Sequence, residues 1–310
     1  MQTRKCEILK VKFDLIAYHV VMSTIKRWKQ LGERHYVTIT NPHSVMLCQR
    51  DLQMQKATYE ADMVMPDGVG IILAAHLLGY PNNGRVTGPE LMLKLCNWGR
   101  EHDYRHYFYG GAEGIAEKLK EKLCRKYPGL QVVGTCSPPF RPLLPQEDQE
   151  IVERINSTEP DILWVGLGAP KQEKWMAAHF GRVKAAAMIG VGAAFNYHSG
   201  NVRWTPPLMR RLGLEWAFRL AQNPRRMWRR NIDSPLFLSK VIWQRIKMTL
   251  DQGHTQGIEE TPAGREVQIK SVAAARPDIA RRSMVLQADG STLRLKVGIK
   301  KNKESVNTDL

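Results

Sequence analysis

The chain has 310 residues, of which 43% are apolar and 25% are charged. These values are ordinary for a globular protein and exclude a collagen, a coiled coil or a wholly disordered chain. The formal net charge of +16 is unevenly distributed, with +5 in residues 1–202, +9 in residues 203–250 and +2 in residues 251–310. The middle segment also holds four of the eight tryptophans. Such a block indicates a polyanionic partner, which could be nucleic acid, an anionic membrane or a diphosphate.

The cysteines and the apolar runs indicate a cytoplasmic protein. The five cysteines form no Cys-x-x-Cys pair and are odd in number, so we expect neither a disulfide framework nor a zinc site. We expect no signal peptide, because the apolar stretch 15–22 is broken by Tyr18 and His19 and has no small-residue cleavage site. The longest charge-free run, 185–202, is short and contains three glycines, so we also expect no transmembrane segment.

From Tyr36 onward, short β-rich runs alternate with longer helical patterns. The predicted strands are 36–40, 61–65, 105–109, 130–135, 161–166 and 185–191. The predicted helices are the fifteen residues after Pro42, then 70–78, 88–102, 115–127, 146–156 and 171–180. Strands that alternate with helices of this length indicate βαβ units. The predicted fold class is therefore α/β, with a Rossmann-like and largely parallel sheet.

Composition divides the chain into three predicted parts. Residues 1–202 form an α/β catalytic domain, residues 203–250 a basic amphipathic helical appendage, and residues 251–310 a poorly ordered tail. The predicted helices of the appendage are 207–213, 214–222, 225–230 and 236–250. In the tail, 284–286 and 292–297 are predicted to pair as a hairpin.

Small or polar residues follow five of the predicted strands. In an open parallel sheet, ligands bind outside the carboxyl ends of the strands, and glycines there let backbone N–H groups approach a phosphate. Any one of these glycines could instead simply make a turn, but five such ends together favour a nucleotide or sugar-nucleotide site. Neither GxGxxG nor GxxxxGK[ST] is present. The segments are Asn41-Pro42, Asp67-Gly68-Val69-Gly70, Gly110-Gly111-Ala112-Glu113-Gly114, Gly168-Ala169-Pro170-Lys171-Gln172-Glu173 and Gly190-Val191-Gly192.

Asp67 is the most suggestive carboxylate. It ends an apolar strand beside Gly68, where a partly desolvated carboxylate has the character of a general base. Its local sequence favours a simpler role as the cap of the following helix. Arg85 opens a helix, where it could meet an anion or be solvated, and Glu173 could merely complement a helix dipole. The histidines, His43 among them, show no metal-ligand spacing, so no metal site is predicted.

The chain lacks a DxD triplet, so a transferase that splits a nucleotide diphosphate would need another means of stabilising the leaving group. Guanidinium groups are the obvious substitute, because their fork matches phosphate oxygens. The basic block 203–250 supplies seven candidate arginines, which could equally form a solvated face. Interleaved aromatic residues such as Trp216 and Trp228 favour an interfacial surface that meets anionic lipid.

Taken in order, these motifs resemble the WecG/TagA/CpsF family of bacterial glycosyltransferases. The matching pieces are TNP at 40–42, DGVG at 67–70, RVTG at 85–88, YGG at 109–111, DILWVGLGAPKQE at 161–173, GVGAAF at 190–195 and GLEWAFRL at 213–220. An arginine cluster after Pro224 completes the series. The resemblance covers roughly residues 36–230, and the GLGAPKQE and GLEW pieces are specific together.

The resemblance implies an inverting, metal-independent transferase without a cofactor. Such an enzyme moves a sugar from a UDP-sugar to a sugar on a polyprenyl diphosphate, at the inner face of the plasma membrane. By resemblance Asp67 is the base, Asn41, Arg85 and Gln172 belong to the sugar and acceptor pocket, and the diphosphate is bound by arginines of the appendage. Those arginines are Arg219, Arg226 and Arg229. The remaining predicted substrate-binding residues are Thr40, Gly110, Gly111, Gly168, Glu173 and Gly192.

Three departures from the family pattern leave the donor sugar open. Ile39 and Asn196 stand where the family often has Thr and Asp, and Trp204-Thr205-Pro206 replaces an Arg-Ala-Pro triplet. The expected partners are the UDP-sugar, the lipid-linked acceptor and an anionic membrane surface, with no nucleic acid, and homo-oligomer formation is left open. Two alternatives remain: a nucleic-acid-binding protein that uses residues 203–250, and an inactive sugar-nucleotide-binding scaffold.

Overall fold

The computed structural model describes residues 5–80, 84–255, 282–289 and 292–299. The chain forms two compact units, Met1–Gln252 and Gly253–Leu310. Within the described residues the strands are β1 (Lys5–Ile8), β2 (Val11–Asp14), β3 (His35–Thr40), β4 (Met63–Pro66), β5 (Arg105–Gly110), β6 (Gln131–Cys136), β7 (Ile162–Gly166), β8 (Ala187–Gly190), β9 (Arg282–Asp289) and β10 (Thr292–Ile299). The helices there are α1 (Tyr18–Leu31), α2 (Pro42–Cys48), α3 (Leu52–Tyr59), α4 (Val69–Leu77), α5 (Gly88–Gly99), α6 (Ile115–Lys126), α7 (Pro145–Ser157), α8 (Lys171–Ala178), α9 (Ala194–His198), α10 (Pro207–Arg211), α11 (Glu215–Gln222) and α12 (Pro224–Thr255).

Six strands form the central sheet of the first unit, in the order β4-β3-β8-β7-β5-β6. Every neighbouring pair in this sheet is parallel. The predicted α/β fold with a Rossmann-like parallel sheet is therefore confirmed. Because all six carboxyl ends meet at one edge, the loops that follow the strands are brought together there.

Both faces of the sheet are buried. Along β7, Ile162 and Trp164 pack into one apolar core, while Leu163 and Val165 pack into the other. This alternation follows from the two-residue period of a strand, and helices cover each face. The strands consequently carry almost continuous apolar runs, which is why the sequence pattern located them.

The N-terminal hairpin and helix α1 were not predicted. Strands β1 and β2 pair antiparallel through a tight turn at Leu9 and Lys10, whose φ angles are 47° and 67°. Such turns usually contain Asn or Gly, so Leu-Lys hides the hairpin from a reading of turn signals. Helix α1 buries Val21, Ile25 and Trp28 at helical spacing.

The single helix predicted after Pro42 is wrong, because the structure divides it into α2 and α3. The side chain of Asp51 accepts hydrogen bonds from the backbone N–H groups of Gln53 and Met54, both at 3.1 Å. This N-cap starts a new helix. Asp51 also forms an ion pair with Lys174 of α8 at 2.6 Å.

The predicted break between 230 and 236 is also wrong, since α12 runs without interruption from Pro224 to Thr255. Pro235 lies inside the helix, where a proline removes one backbone hydrogen bond and costs about 3 kcal/mol. Just beyond it, Phe237 and Val241 are buried against the α/β part of the chain, residues 1–202, which we call the body. We attribute the continuity of the helix to this packing, which outweighs the local preference of proline.

Strands β9 and β10 pair antiparallel in the second unit, from Arg282 opposite Ile299 to Asp289 opposite Thr292. The predicted hairpin is present and is longer than expected. The rest of the predicted tail, 256–281 and 300–310, lies outside the described residues. The predicted domain boundary at 202 falls inside the first unit, and the boundary at 250 lies two residues before its end.

Candidate active site

A cavity of about 560 Å³ lies at the carboxyl ends of β3, β4, β7 and β8. We call it the strand-end cavity. The residues of the predicted site that line it are Asn41, Asp67, Gly168, Gln172, Glu173, Gly192 and Arg219. Segments far apart in the sequence thus converge at one place, as the parallel topology requires.

The loop between β7 and α8 and the first turn of α8 line this cavity. The side-chain oxygen of Gln172 accepts a hydrogen bond from the backbone N–H of Gly168 at 3.2 Å, and its amide nitrogen donates to Glu173 at 2.9 Å. A Cβ atom at Gly190 would lie 2.8 Å from Met176 Cε and 3.0 Å from Gln172 Nε2. Glycine at 190 therefore leaves the space that this buried amide occupies.

A second cavity of about 500 Å³ lies between α4 and the helices α11 and α12, and we call it the helix cavity. Its lining is mainly apolar and includes Val69, Leu73, Trp216, Phe237 and Leu238. Five residues line both cavities: Asn41, His43, Asp67, Arg219 and Met227. The two cavities therefore adjoin at a common wall that contains Asp67.

Asp67 directly follows β4, and its carboxylate has an unusual pKa. Burial and, next in size, the negative charge of Glu215 raise the pKa to about 6, while Arg219, Arg85 and a hydrogen bond from the Gly68 N–H act in the opposite direction. The N-cap of α4 is Gly68, and no side chain caps this helix. The cap favoured by the local sequence is therefore wrong for Asp67. A carboxylate with this pKa is mainly ionised at neutral pH and is well suited to accept a proton.

Arg219 and Arg85 both lower the pKa of this carboxyl through their charge. Arg219 forms an ion pair with Glu215 one turn earlier in α11, and its guanidinium lies 5.3 Å from the ring of Tyr197. Arg85 lines the helix cavity and donates to the backbone carbonyl of Arg210 at 3.5 Å. Two cations thus lie within electrostatic reach of Asp67.

A polar network attaches α10 to the body. Arg210 forms an ion pair with Glu90 of α5 at 2.6 Å and lies 3.8 Å over the ring of Trp204. Tyr18 donates to the other oxygen of Glu90 at 2.9 Å. Trp204, one of the departures from the family pattern, therefore has a packing role beside the arginine that holds α10.

Asn41, which directly follows β3, both caps a helix and lines the two cavities. Its side-chain oxygen accepts a hydrogen bond from the Ser44 N–H at 3.0 Å and so caps α2. Because the oxygen is engaged in this way, the Nδ2 group is the part of the side chain that can donate to a ligand in the adjoining cavities.

Several predicted substrate-binding residues do not line either cavity. Thr40 is buried within β3 and lies 3.5 Å from Thr38. A Cβ atom at Gly110 would lie 2.6 Å from the backbone of Gly166, and one at Gly111 would lie 2.8 Å from Ile115. These glycines permit close packing at the strand end. The side chains of Arg226 and Arg229 lie outside the described part of the structure, although their backbone belongs to α12.

Three lining residues are absent from the sequence-based prediction: His43 and Met227 line both cavities, whereas Glu215 lines only the helix cavity. His43 lacks metal-ligand spacing, Glu215 is part of a motif only by resemblance, and Met227 has no chemical signal. The position of His43 in the first turn after a strand end was the available indication.

Across the described residues, His, Cys, Asp and Glu side chains form no group of three or more that could hold a metal ion. Every helix in the described ranges is too short or too polar to cross a bilayer.

Comparison with known proteins gives one consistent result. The family described as Glycosyl transferase WecG/TagA/CpsF matches residues 6–250. An N-acetylglucosaminyldiphosphoundecaprenol N-acetyl-beta-D-mannosaminyltransferase of Bacillus spizizenii is 28% identical over 207 residues, which are 67% of this chain and 78% of the relative. The enzyme of the same name from Staphylococcus aureus strain MW2 is 26% identical over 241 residues, or 77% of this chain and 92% of the relative. The chain is therefore a glycosyltransferase that belongs to the WecG/TagA/CpsF family.

Proposed function

We propose that this enzyme transfers a sugar from a UDP-sugar to a sugar on a polyprenyl diphosphate, with inversion at the anomeric carbon. The observation that carries the proposal is the position of Asp67. Its carboxylate, with a pKa of about 6, lies in the wall common to the strand-end cavity and the more apolar helix cavity. A base at such a wall can contact an acceptor on one side and a donor on the other.

The strand-end cavity suits the donor. Its volume of about 560 Å³ falls within the usual range for small-molecule sites. Gly168 and Gly192 have no side chains, so a diphosphate can approach the backbone closely there, and Gln172 is held in place by its hydrogen bonds to Gly168 and Glu173. Asn41 and Arg219, which like Asp67 line both cavities, add hydrogen-bond donors.

The helix cavity suits the acceptor. Val69, Leu73 and Trp216 offer apolar surface to a polyprenyl chain, while Arg85 can meet its diphosphate. The names of the relatives specify N-acetylglucosaminyldiphosphoundecaprenol as the acceptor of those enzymes. The corresponding lipid is the first acceptor to test here.

In the proposed reaction, Asp67 removes the proton from the acceptor hydroxyl as its oxygen attacks the anomeric carbon. The bond from that carbon to UDP breaks on the opposite face, which inverts the configuration. The proton remains on Asp67, and UDP leaves with the electron pair. Guanidinium groups of Arg219, and of Arg226 and Arg229 on α12, would neutralise the departing diphosphate in place of a metal ion.

We also propose that the outer surface of residues 203–250 binds an anionic membrane. Trp216, Trp228 and Trp243 are 55%, 63% and 67% exposed, and the segment carries a net charge of +9. Exposed aromatic rings among cations are typical of helices that lie at a lipid headgroup layer. This placement would bring the helix cavity to a lipid-linked acceptor.

The test is a panel of UDP-sugars with a short-chain polyprenyl diphosphate that carries N-acetylglucosamine, starting with UDP-N-acetylmannosamine. We expect equimolar UDP and lipid-linked disaccharide, an inverted anomeric configuration by NMR, and an unchanged rate in EDTA. Retained configuration would contradict the proposed attack by the acceptor oxygen. Loss of transfer in EDTA, restored by a divalent cation, would contradict the role given to the arginines.

A further inference from the structure

Helix α12 contacts the catalytic body along one face. Asp233, Phe237, Val241 and Gln244 are spaced by four, four and three residues, so they lie on the same side of the helix. Phe237 and Val241 are buried in the core that also contains the N-terminal hairpin. These two fully buried apolar side chains lie between the two polar ones, and Met248, one turn beyond Gln244, is partly buried against the same core.

The two polar residues each bind the body at defined atoms. Asp233 is only 4% exposed, and its carboxylate oxygens lie 2.6 Å from Nδ1 of His43 and 2.8 Å from Nη2 of Arg50. Gln244 accepts from the Leu9 N–H at 2.9 Å and donates to the Glu7 carbonyl at 3.0 Å. These contacts fix the two ends of the contacting face.

Directional contacts of this kind determine where a helix lies along its axis. Apolar packing of Phe237 and Val241 is non-directional, and it tolerates small shifts of the helix. A buried carboxylate tolerates no such shift, because it would lose two charge-assisted hydrogen bonds while still desolvated. Buried ion pairs are consequently better at specifying an arrangement than at adding stability.

The two ends differ in what lies beside them. His43, held by Asp233, lines both cavities next to Asn41 and Asp67. Met227, at the start of α12, also lines both. Gln244 instead lies about 16 Å beyond Asp233 along the helix axis, at 1.5 Å per residue, and contacts the N-terminal hairpin.

We propose that Asp233 is a positioning residue for the transfer reaction. It holds His43 in one orientation at the common wall and fixes the axial position of the first turns of α12, which carry Arg226 and Arg229. The proposal rests on the proposed function, in which those arginines meet the departing UDP. Asp233 itself lines neither cavity and acts only through the groups that it holds.

The test compares Asp233→Asn with Gln244→Ala in the full chain. Asparagine has nearly the same shape, but it carries no charge and replaces one of the two acceptor oxygens with an amide nitrogen. We expect kcat to fall at least thirtyfold, with the KM for UDP-sugar changed less than threefold, because the donor cavity is built mainly from the body. Gln244→Ala removes the other polar attachment and should leave kcat within twofold of the wild type.

Hydrogen exchange gives a readout that is independent of activity. In Asp233→Asn, amides of residues 226–235 should exchange faster, whereas in Gln244→Ala faster exchange should be confined to residues near 244. Arg50→Ala provides a second variant, at a side chain that is itself 53% exposed, and its thermal unfolding is measured beside its activity. It should lower kcat about fivefold to tenfold, since it removes one of the two partners of Asp233.

Normal kcat in Asp233→Asn would overturn the proposal, as would equal losses in Asp233→Asn and Gln244→Ala. If Asp233→Asn does not fold, normal kcat in Arg50→Ala overturns it, and the expected loss supports it. The proposed function fails separately: an active Asp67→Asn contradicts that function, whereas an inactive Asp67→Asn with a normal Asp233→Asn contradicts only the positioning role.

Discussion

The strand-end cavity and the helix cavity adjoin, but they are built in different ways. The first is formed by loops after parallel strands, where glycines and backbone groups of the body determine the shape. The second is formed by side chains of α4, α11 and α12; the last two helices belong to the basic block, and α12 is attached to the body by Phe237, Val241 and a few polar contacts. One part of the site is therefore specified by local motifs, and the other by long-range contacts. Asp67 lies where the two meet.

The largest effect is expected from removing the group that the cavities share. Asp67→Asn keeps the shape but cannot accept the proton, so kcat should fall by about 10²–10⁴-fold, the usual contribution of a general base. UDP binding by calorimetry should change little. Asp103→Asn is the matched control, because Asp103 is exposed at the opposite end of β5 and its φ of 51° suits asparagine. Comparable activity of Asp67→Asn and the control would remove Asp67 as the base.

Close packing of backbone at the strand ends, beside the strand-end cavity, predicts a large loss of stability in Gly110→Ala. Gly110 has a φ of 129°, and an added Cβ would lie 2.6 Å from the Gly166 backbone. Backbone strain and overpacking together should lower the free energy of unfolding by about 2–5 kcal/mol. In Gly181→Ala, where φ is 82° but no atom lies within 4 Å, about 1–2 kcal/mol is expected. Urea denaturation measures both, and equal losses would show that close packing at Gly110 is unimportant.

The outer face of the basic block predicts a moderate effect on membrane binding. Trp243→Ser should weaken binding to vesicles with anionic lipid about tenfold, and the binding should decrease with salt. Tyr59→Ser is the control, because Tyr59 on α3 is also 67% exposed but lies outside the block. A gel shift with nucleic acid, run in parallel, tests the alternative that the basic block binds nucleic acid. Equal vesicle binding of both variants would locate the membrane surface elsewhere.

The smallest effect is expected in the N-terminal hairpin, whose backbone forms hydrogen bonds with Gln244. Lys10 is exposed and has a φ of 67°, a conformation that glycine adopts without strain. Lys10→Gly should raise the free energy of unfolding by about 0.5–1 kcal/mol in urea denaturation. Lys12→Gly, within β2, should lower it, because glycine weakens a strand. A loss in both variants would contradict the strain assigned to the turn.

The sheet could be predicted because its strands are buried on both faces and separated by helices of regular period. The N-terminal hairpin could not, since Leu9 and Lys10 form its turn without the residues that usually announce one. The division of α2 from α3 depends on the cap at Asp51, a local signal that lies inside the predicted fifteen-residue helix. The continuity of α12 through Pro235 depends on tertiary packing, which the local sequence does not report.

The candidate site was predictable to a similar extent. Asp67 and Gln172 stand in local motifs at strand ends, and both line the strand-end cavity. Gly110 and Gly111 also follow a strand, but the structure uses them for close packing. His43 and Asp233 are 190 residues apart, so their pairing is a property of the folded chain alone. A glycine in a motif therefore does not distinguish ligand approach from backbone packing.

The dependence of kcat/KM on pH tests the role of Asp67 most directly. Burial raises the pKa of this carboxyl to about 6, so transfer should increase with pH below 6 and level off above 7, as the base becomes ionised. The charge of Glu215 contributes to the raised pKa, so Glu215→Gln should move this acid limb to lower pH. A limb near pH 6 that shifts downward in Glu215→Gln is the predicted result. A profile without that limb, or a limb that stays in place in Glu215→Gln, would contradict Asp67 as the base.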